Sequence, residues 1–323
     1  MGGRPPDRVR AVPARAGSGR GAVNVSAPVR GWRELLRRRE ALVGINRRNL
    51  ELVDPHNERR HYPLADDKLL AKNVLAAAGV AVPRTVTVCE RVADVPAVLA
   101  TLGVLDEFVV KPARGSGGDG IVVAVGRASP GVWKLAGGGE LAESDLRRHL
   151  AEIVFGAYAL WGGLGDRALV EERIEPHEFL HGLWPHGLPD VRVITLGGVP
   201  FVAMVRVPTS RSGGRANLHQ GGVGVAVDVA TGRMTRAVLA GEQVERHPDT
   251  GRALTGAAVP CWPQIVGLAR RASRAVPLGY LGVDIVLDRT GRALVLELNV
   301  RPGLEIQNVH GRGLAEFLAE VGP

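Results

Sequence analysis

The 323-residue chain carries a formal charge of +8, and the excess sits at its front: residues 1–60 hold 14 Arg, no Lys and 6 acids, so the remaining 263 residues balance. A body without net positive charge argues against a nucleic-acid-binding core. Two cysteines make no disulfide framework and suit a reducing cytoplasm, and no apolar run reaches the roughly 18–20 residues of a membrane span.

Residues 1–30 read as a disordered basic tail of Gly, Pro, Arg, Ser and Ala without a period. Trp32 to about Asn49 has helical spacing through Leu35, Leu36, Leu42, Val43 and Leu50, which makes 31–60 a leading helical segment. Asp66-Asp67 starts a second helix, with Leu69, Leu70, Val74 and Leu75 on one side and Gly79 at its C-terminal end. Strand-type runs follow at 84–88 and 107–111, with a helix near 94–102 between them. A glycine-rich segment at 114–120 leads into the strand Ile121–Val125, and 143–160 is helical. Hairpins then dominate: Val191–Leu196 with Val199–Val207, a second around Val223–Val229, and Gly282–Leu287 with Arg292–Asn299, while Gln264–Val276 is a helix. Helices alternating with antiparallel hairpins predict an α+β class.

Arg114-Gly115-Ser116-Gly117-Gly118-Asp119-Gly120 contains a G-x-G-x-x-G pattern. A dinucleotide site needs a helix straight after the loop, because the helix N-terminus holds the pyrophosphate. Here a strand follows, so the loop is a flap between strands. A kinase lysine lies after its glycine loop, whereas Lys111 lies before this one, and no H-R-D, D-F-G or P-loop pattern occurs. What remains is a flap whose bare amides can close over phosphates, with Lys111 beside it, or an ordinary glycine hairpin with a solvent-facing lysine. Only four of the 41 basic residues are lysines, at 68, 72, 111 and 134, and lysine serves where a compact point charge is needed.

In the last hairpin a turn over 288–291 pairs Leu287 with Arg292 and sets Asp284 opposite Val295. Alternation then places Asp284, Glu297 and Asn299 on one face, with Glu297 diagonal to Asp284, and Ile285, Leu287, Leu294, Leu296 and Leu298 on the core face. An odd-length turn would break this grouping. Two carboxylates and an amide oxygen make a hard-oxygen site suited to Mg²⁺ carrying nucleotide phosphates. His177, His181 and His186 cluster in a loop but lack the fourth, well-spaced ligand of a zinc site.

The order Lys68, Lys111 with its flap, Val170-Glu171-Glu172, Asp190-Val191-Arg192, Asn217, Asp284 and Glu297-Leu298-Asn299 resembles the ATP-grasp ligases. Asn46-Arg47-Arg48-Asn49, Tyr62 to Lys68, Ala216 to Gly221 and Leu296 to Gly303 are similar to the alpha-L-glutamate ligase-like branch. The resemblance runs from about residue 40 to the end. It implies an ATP-grasp fold, with an N-lobe over 61–170 and a C-lobe over 171–323 sandwiching ATP. It also implies that Lys68, Lys111, the flap residues Gly115, Ser116, Gly117, Gly118 and Gly120, the hinge residues Glu171 and Glu172, and Asn217 bind the nucleotide. Asp284, Glu297 and Asn299 would hold Mg²⁺, or Mn²⁺ in its place. Arg192 and Arg215 would act near the γ-phosphate, and Arg301 would clamp a substrate carboxylate. The implied activity is a carboxylate–amine ligation, through an acyl phosphate, between a carboxylate substrate and an amino-acid or peptide amine. Only about 60 residues precede Lys68, where many members carry a separate domain, so a non-catalytic ATP-binding accessory protein is the second expectation.

Overall fold

In the computed structural model, residues 36, 37, 39–115, 117–159 and 165–321 are described, and residues 40–323 form the unit considered below. The expected tail over 1–30 and Ser116 lie outside the described residues. The described residues build two antiparallel sheets with helices against them, the α+β class expected.

The first sheet runs in the order β1-β6-β2-β3-β4-β5, formed by Thr85–Cys89, Ala168–Glu171, Glu107–Pro112, Val122–Ser129, Val132–Leu135 and Glu140–Ala142. Helices α4 (Val95–Leu102) and α5 (Glu143–Val154) cover it. Val98, Leu99, Leu102, Leu146, Leu150 and Ile153 join Phe108 and Trp133 in a small core, where the two aromatic rings meet edge to face at 5.4 Å. Helix α5 stops at Val154, short of the expected residue 160.

The second sheet runs β11-β10-β9-β8-β7-β12-β13, from Glu242–Val244, Met234–Leu239, Val223–Val227, Val199–Val207, Asp190–Leu196, Tyr280–Leu287 and Ala293–Asn299. Helices α7 (Trp262–Ala275), α8 (Glu305–His310) and α9 (Leu314–Val321) pack against it around the larger core. No helix among the described residues is long and apolar enough to cross a membrane.

Three local expectations are corrected. The leading helix is interrupted: residues 42–44 are non-helical, and α1 resumes at Ile45–Arg48, because Val43 turns into the core while Leu42 and Leu50 stay exposed. After α2 (Pro63–Asp66), helix α3 spans Lys68–Ala77, and the Asp67 carboxylate caps it by accepting from the amides of Leu69 and Leu70, both at 3.1 Å. Its buried stripe, however, is Lys68, Ala71, Lys72 and Leu75, and Leu70 is exposed.

The third correction is the β12–β13 register. Leu287 pairs with Ala293, not Arg292, so the turn is odd in length. Taken alone this would set Asp284 opposite Leu296. A bulge between Asp284 and Ile285 shifts the ladder by one, so Asp284 pairs with Glu297 and Gly282 with Asn299. The bulge restores the grouping that the turn breaks, and it brings Glu297 directly opposite Asp284 rather than diagonal to it. Val295 and Ala293 take the core positions expected of Leu296 and Leu294. Leu294 instead pairs with Val286, on the same face as Asp284.

Candidate functional site

Three of the four lysines converge between the two sheets. Lys68 and Lys72, one turn apart on α3, face inward, and Lys111 is the next-to-last residue of β2. All three are at most 8 % exposed, so each needs a partner. Glu171, at the end of β6, supplies it for two. Its Oε2 lies 2.7 Å from Lys111 Nζ, and its Oε1 accepts from Lys72. Burial alone would raise the Glu171 carboxyl, but Lys111 and Lys72 outweigh it and hold the carboxyl below its ordinary value; burial lowers the Lys72 ammonium. Lys72 had no expected role and joins this cluster through Glu171. The i, i+4 spacing from Lys68, which puts both on one helix face, was the available signal.

Lys68 Nζ donates to the Gly115 carbonyl at 2.6 Å and pairs with Glu297 Oε1 at 3.2 Å. It thereby ties the flap to the β13 carboxylate. Lys68, Lys111, Gly115, Gly117, Gly118, Asp119, Ile121 and Glu297 line one small cleft. Gly117 and Gly118 have φ of +66° and +84°, a region open to glycine, and the flap reaches the 209–221 loop. There Gln220 Nε2 donates to the Gly117 carbonyl at 3.3 Å, and the Arg215 side chain lies against Gly118. Asn217 caps the turn that follows it by accepting from the His219 amide at 3.0 Å.

Gly120 anchors the flap at its far end. Its carbonyl accepts from His149 Nε2 at 2.9 Å, and a Cβ there would meet the Tyr158 ring at 2.6 Å, at φ +74°. Gly120→Ala is therefore expected to lower the unfolding free energy by about 2–5 kcal/mol, the overpacking cost added to that of a left-handed backbone. Gly117→Ala meets nothing within 4 Å and is expected to cost only the backbone term of about 1–2 kcal/mol. Urea titration of both variants checks the difference, and equal losses would contradict it.

Asp284 is held by a buried ion network. Arg192 grips it bidentately, Nε to Oδ1 at 2.8 Å and Nη2 to Oδ2 at 2.7 Å. Arg206 Nη2 reaches Oδ2 at 2.8 Å, and Asn299 Nδ2 donates to it at 3.2 Å. Arg206 also grips Asp190 at 2.6 and 2.5 Å. Burial alone would raise Asp284, but Arg192 and Arg206 hold it well below its ordinary range, whereas burial pushes Asp190 up to about 6. Arg206 and Asp190 were not anticipated as a pair. Arg206 carried no motif, and only the β7–β8 register sets it opposite Asp190.

The donor set bears on a divalent cation. Glu297 is one-third exposed toward the cleft, and Asn299 uses its amide nitrogen toward Asp284, which leaves the carbonyl oxygen as an acceptor. Glu297 and Asn299 therefore fit a hard-oxygen ion such as Mg²⁺. Asp284 joins them only by releasing a guanidinium. Of the other expected residues, Glu172 lies outside this cluster and accepts from the Arg84 amide at 2.8 Å. Arg301 stacks over the Tyr62 ring at 4.9 Å. His177 caps α6 (Glu178–Leu183), and among the described residues no three His, Cys, Asp or Glu side chains are grouped to hold a metal.

Comparison with solved structures gives low identities. The ATP-grasp ligase PsnB complexed with minimal precursor is 17 % identical, with a TM-score of 0.44 over 92 % of this chain and 72 % of that one. The D-cycloserine synthetase DcsG is 18 % identical, with a TM-score of 0.43 over 80 % and 71 %. A RimK domain protein ATP-grasp from Sphaerobacter thermophilus is 16 % identical, with a TM-score of 0.43 over 81 % and 69 %. Among curated proteins none matches. A model of the sugar-transfer associated ATP-grasp family matches residues 47–323, which takes in both sheets and every residue of the cleft, and the chain belongs to that family.

Proposed function

We propose that this chain is an ATP- and Mg²⁺-dependent carboxylate–amine ligase that works through an acyl phosphate and releases ADP and phosphate. The observation that carries the reading is the meeting of Lys68, Lys111, the glycine flap and Glu297 in one cleft, with Asn299 two residues further along the same face of β13. Lys68 and Lys111 supply point charges to phosphate oxygens, and the 115–120 flap supplies bare amides. Bound Mg²⁺ would neutralise charge on the phosphates and polarise the γ-phosphoryl group.

Arg192 spends Nε and Nη2 on Asp284, so Nη1 is free to face developing negative charge near Gly303. Arg215, against the flap, and Asn217 belong to the same γ-phosphate end in this reading. A substrate carboxylate oxygen attacks the γ-phosphorus and ADP leaves. An amine nitrogen then attacks the acyl carbonyl and expels phosphate. The two lobes, 61–170 and 171–323, would close on the nucleotide, with Glu171 fixing Lys72 and Lys111 in place. Free thiols at Cys89 and Cys261 suit a cytoplasmic setting.

The test is product identity. With ATP, Mg²⁺ and pools of carboxylic acids and amino acids or peptides, the protein is expected to release ADP and phosphate in step with amide formation. Release of AMP would overturn the acyl-phosphate route. Tight ATP binding with no turnover on any pool would favour an accessory ATP-binding role instead.

A further inference from the structure

None of residues 245–254, between β11 and α7, lines the cleft. They fold back as a hairpin. The His247 amide donates to the Arg252 carbonyl at 2.9 Å and the Leu254 amide to the Glu245 carbonyl at 3.0 Å, with Gly251 turning at φ +67°. Three of its side chains then reach other segments. His247 is 1 % exposed, and its ring stacks on Trp184 at 5.2 Å. Its Nδ1 accepts from the amides of Asp249 and Thr250, both at 3.3 Å, so the proton sits on Nε2, which donates to the Pro208 carbonyl at 2.8 Å. Asp249 accepts from the Ser210 amide at 2.9 Å and from the Ser210 hydroxyl at 2.6 Å. Thr250 Oγ1 donates to the carbonyl of Leu183, the last residue of α6, at 3.0 Å.

Pro208 and Ser210 stand at the start of the loop that carries Arg215 and Asn217, and that loop is stiff in itself. The Thr209 amide donates to Ser212 Oγ at 2.9 Å, and the Ser212 amide donates to Thr209 Oγ1 at 3.1 Å. Thr209 Oγ1 in turn donates to the Gly221 carbonyl at 2.8 Å, which closes the loop at its base. Further along, the Asn217 carbonyl accepts from the Gly222 amide at 2.9 Å. A loop so bonded within itself moves as a body, so where it is held decides where its tip lies. The hairpin holds its start through His247 and Asp249. Its far side meets the flap, with Gln220 on Gly117 and Arg215 against Gly118. Asp249 and Ser210 are both exposed, so little of the core rests on their contact.

We propose that Asp249 and His247 are positioning residues for the γ-phosphate end of the cleft: acting through the 209–221 loop, they set Arg215 and Asn217 against the phosphoryl group in transfer. The proposal rests on the ligase reading for what is positioned, while the hold on the loop stands on its own contacts. The effect falls on kcat more than on ATP affinity. In this reading Lys68, Lys111 and the flap grip the nucleotide, whereas Arg215 and Asn217 face charge that develops in the transition state.

Two measurements on the full chain test it. One is ADP release with ATP, Mg²⁺ and the acid and amine pools. The other is trypsin cleavage of the folded protein after Arg211 and Arg215, both exposed in the loop, with the fragments read by mass spectrometry. Asp249→Ala is expected to lower kcat about 10–100-fold, the scale on which misplacement acts. Its ATP dissociation constant by calorimetry should stay within about threefold of wild type, and its urea midpoint should stay near that of wild type. Cleavage after Arg211 and Arg215 should quicken about tenfold, because a charge-assisted bond no longer opposes local opening. Asp249→Asn keeps an acceptor oxygen for Ser210 and should recover most of kcat. Ser210→Ala should cost less in the Asp249→Ala background than alone, because both changes remove the same hydroxyl bond. His247 is buried, so its loss would disturb the core as well, and Asp249 decides the matter. Unchanged kcat in Asp249→Ala, unchanged cleavage, or equal losses of kcat and ATP affinity would each overturn the assignment. If wild type makes no ADP, the ligase reading falls by itself. Faster cleavage in Asp249→Ala then leaves the hold on the loop standing, and unchanged cleavage removes it.

Discussion

Glu171→Gln is expected to lower the unfolding free energy by roughly 3–5 kcal/mol, among the largest single losses available in this chain. Glu171 is 3 % exposed and is the carboxylate against which both Lys72 and Lys111 are buried. Its loss leaves two ammonium groups in a dry interior with an amide between them. Adding Lys72→Met to Glu171→Gln should recover part of the loss, because one stranded charge is then removed along with its packing cost. Urea unfolding of the two variants measures this, and a double variant no more stable than the single one would contradict it. The pH dependence follows from the same contacts. The folded-state carboxyl is held below its unfolded value of 4.5, so its stabilisation is fully present above about pH 4.5. It is lost as pH falls through the lower folded value. Wild type should therefore lose stability faster than Glu171→Gln in that acid range, and the gap between them should narrow.

Glu297→Gln is expected to reduce ATP turnover at least about 100-fold, the scale on which removing a charge-stabilising group acts at an electrostatic site. Its stability should fall by less than that of Glu171→Gln, because the Glu297 side chain is 34 % exposed and Lys68 keeps its bond to the Gly115 carbonyl. Asp284→Asn is a less clean probe of the same face. Asp284 is 2 % exposed and neutralises Arg192 and Arg206, so its loss would damage the fold and the site together. A Glu297→Gln protein that turns over ATP at the wild-type rate would remove Glu297 from the site.

The fold and much of the cleft were legible in the sequence where the signals are local. Period-two runs and glycine turns marked β2, β3, β7, β8, β12 and β13. The strand after Gly120, in place of a helix, identified the flap. Asp67 and Gly79 marked the ends of α3. What stayed hidden depended on distant partners. Reading apolar residues as the buried stripe of α3 gave Leu69, Leu70, Val74 and Leu75. The buried stripe instead holds Lys68 and Lys72, because Glu171, 99 residues from Lys72, makes a lysine there tolerable. The β12–β13 bulge was hidden for a similar reason. Turn length and alternation set a register only while the ladder is regular, and the shift at Asp284 occurs in a strand also held on its other edge by β7. The Arg206–Asp190 pair arises from cross-strand register, with no spacing along the chain to announce it.

The central claim is that this cleft binds ATP with a divalent cation at Glu297 and Asn299. The measurement that tests it most directly is the affinity of the full chain for ATP by calorimetry, with and without Mg²⁺, in wild type and in Glu297→Gln. Wild type should bind ATP more tightly when Mg²⁺ is present, and Glu297→Gln should lose most of that gain while keeping its metal-free affinity. Absence of ATP binding by wild type, or the same Mg²⁺ dependence in both proteins, would contradict the account.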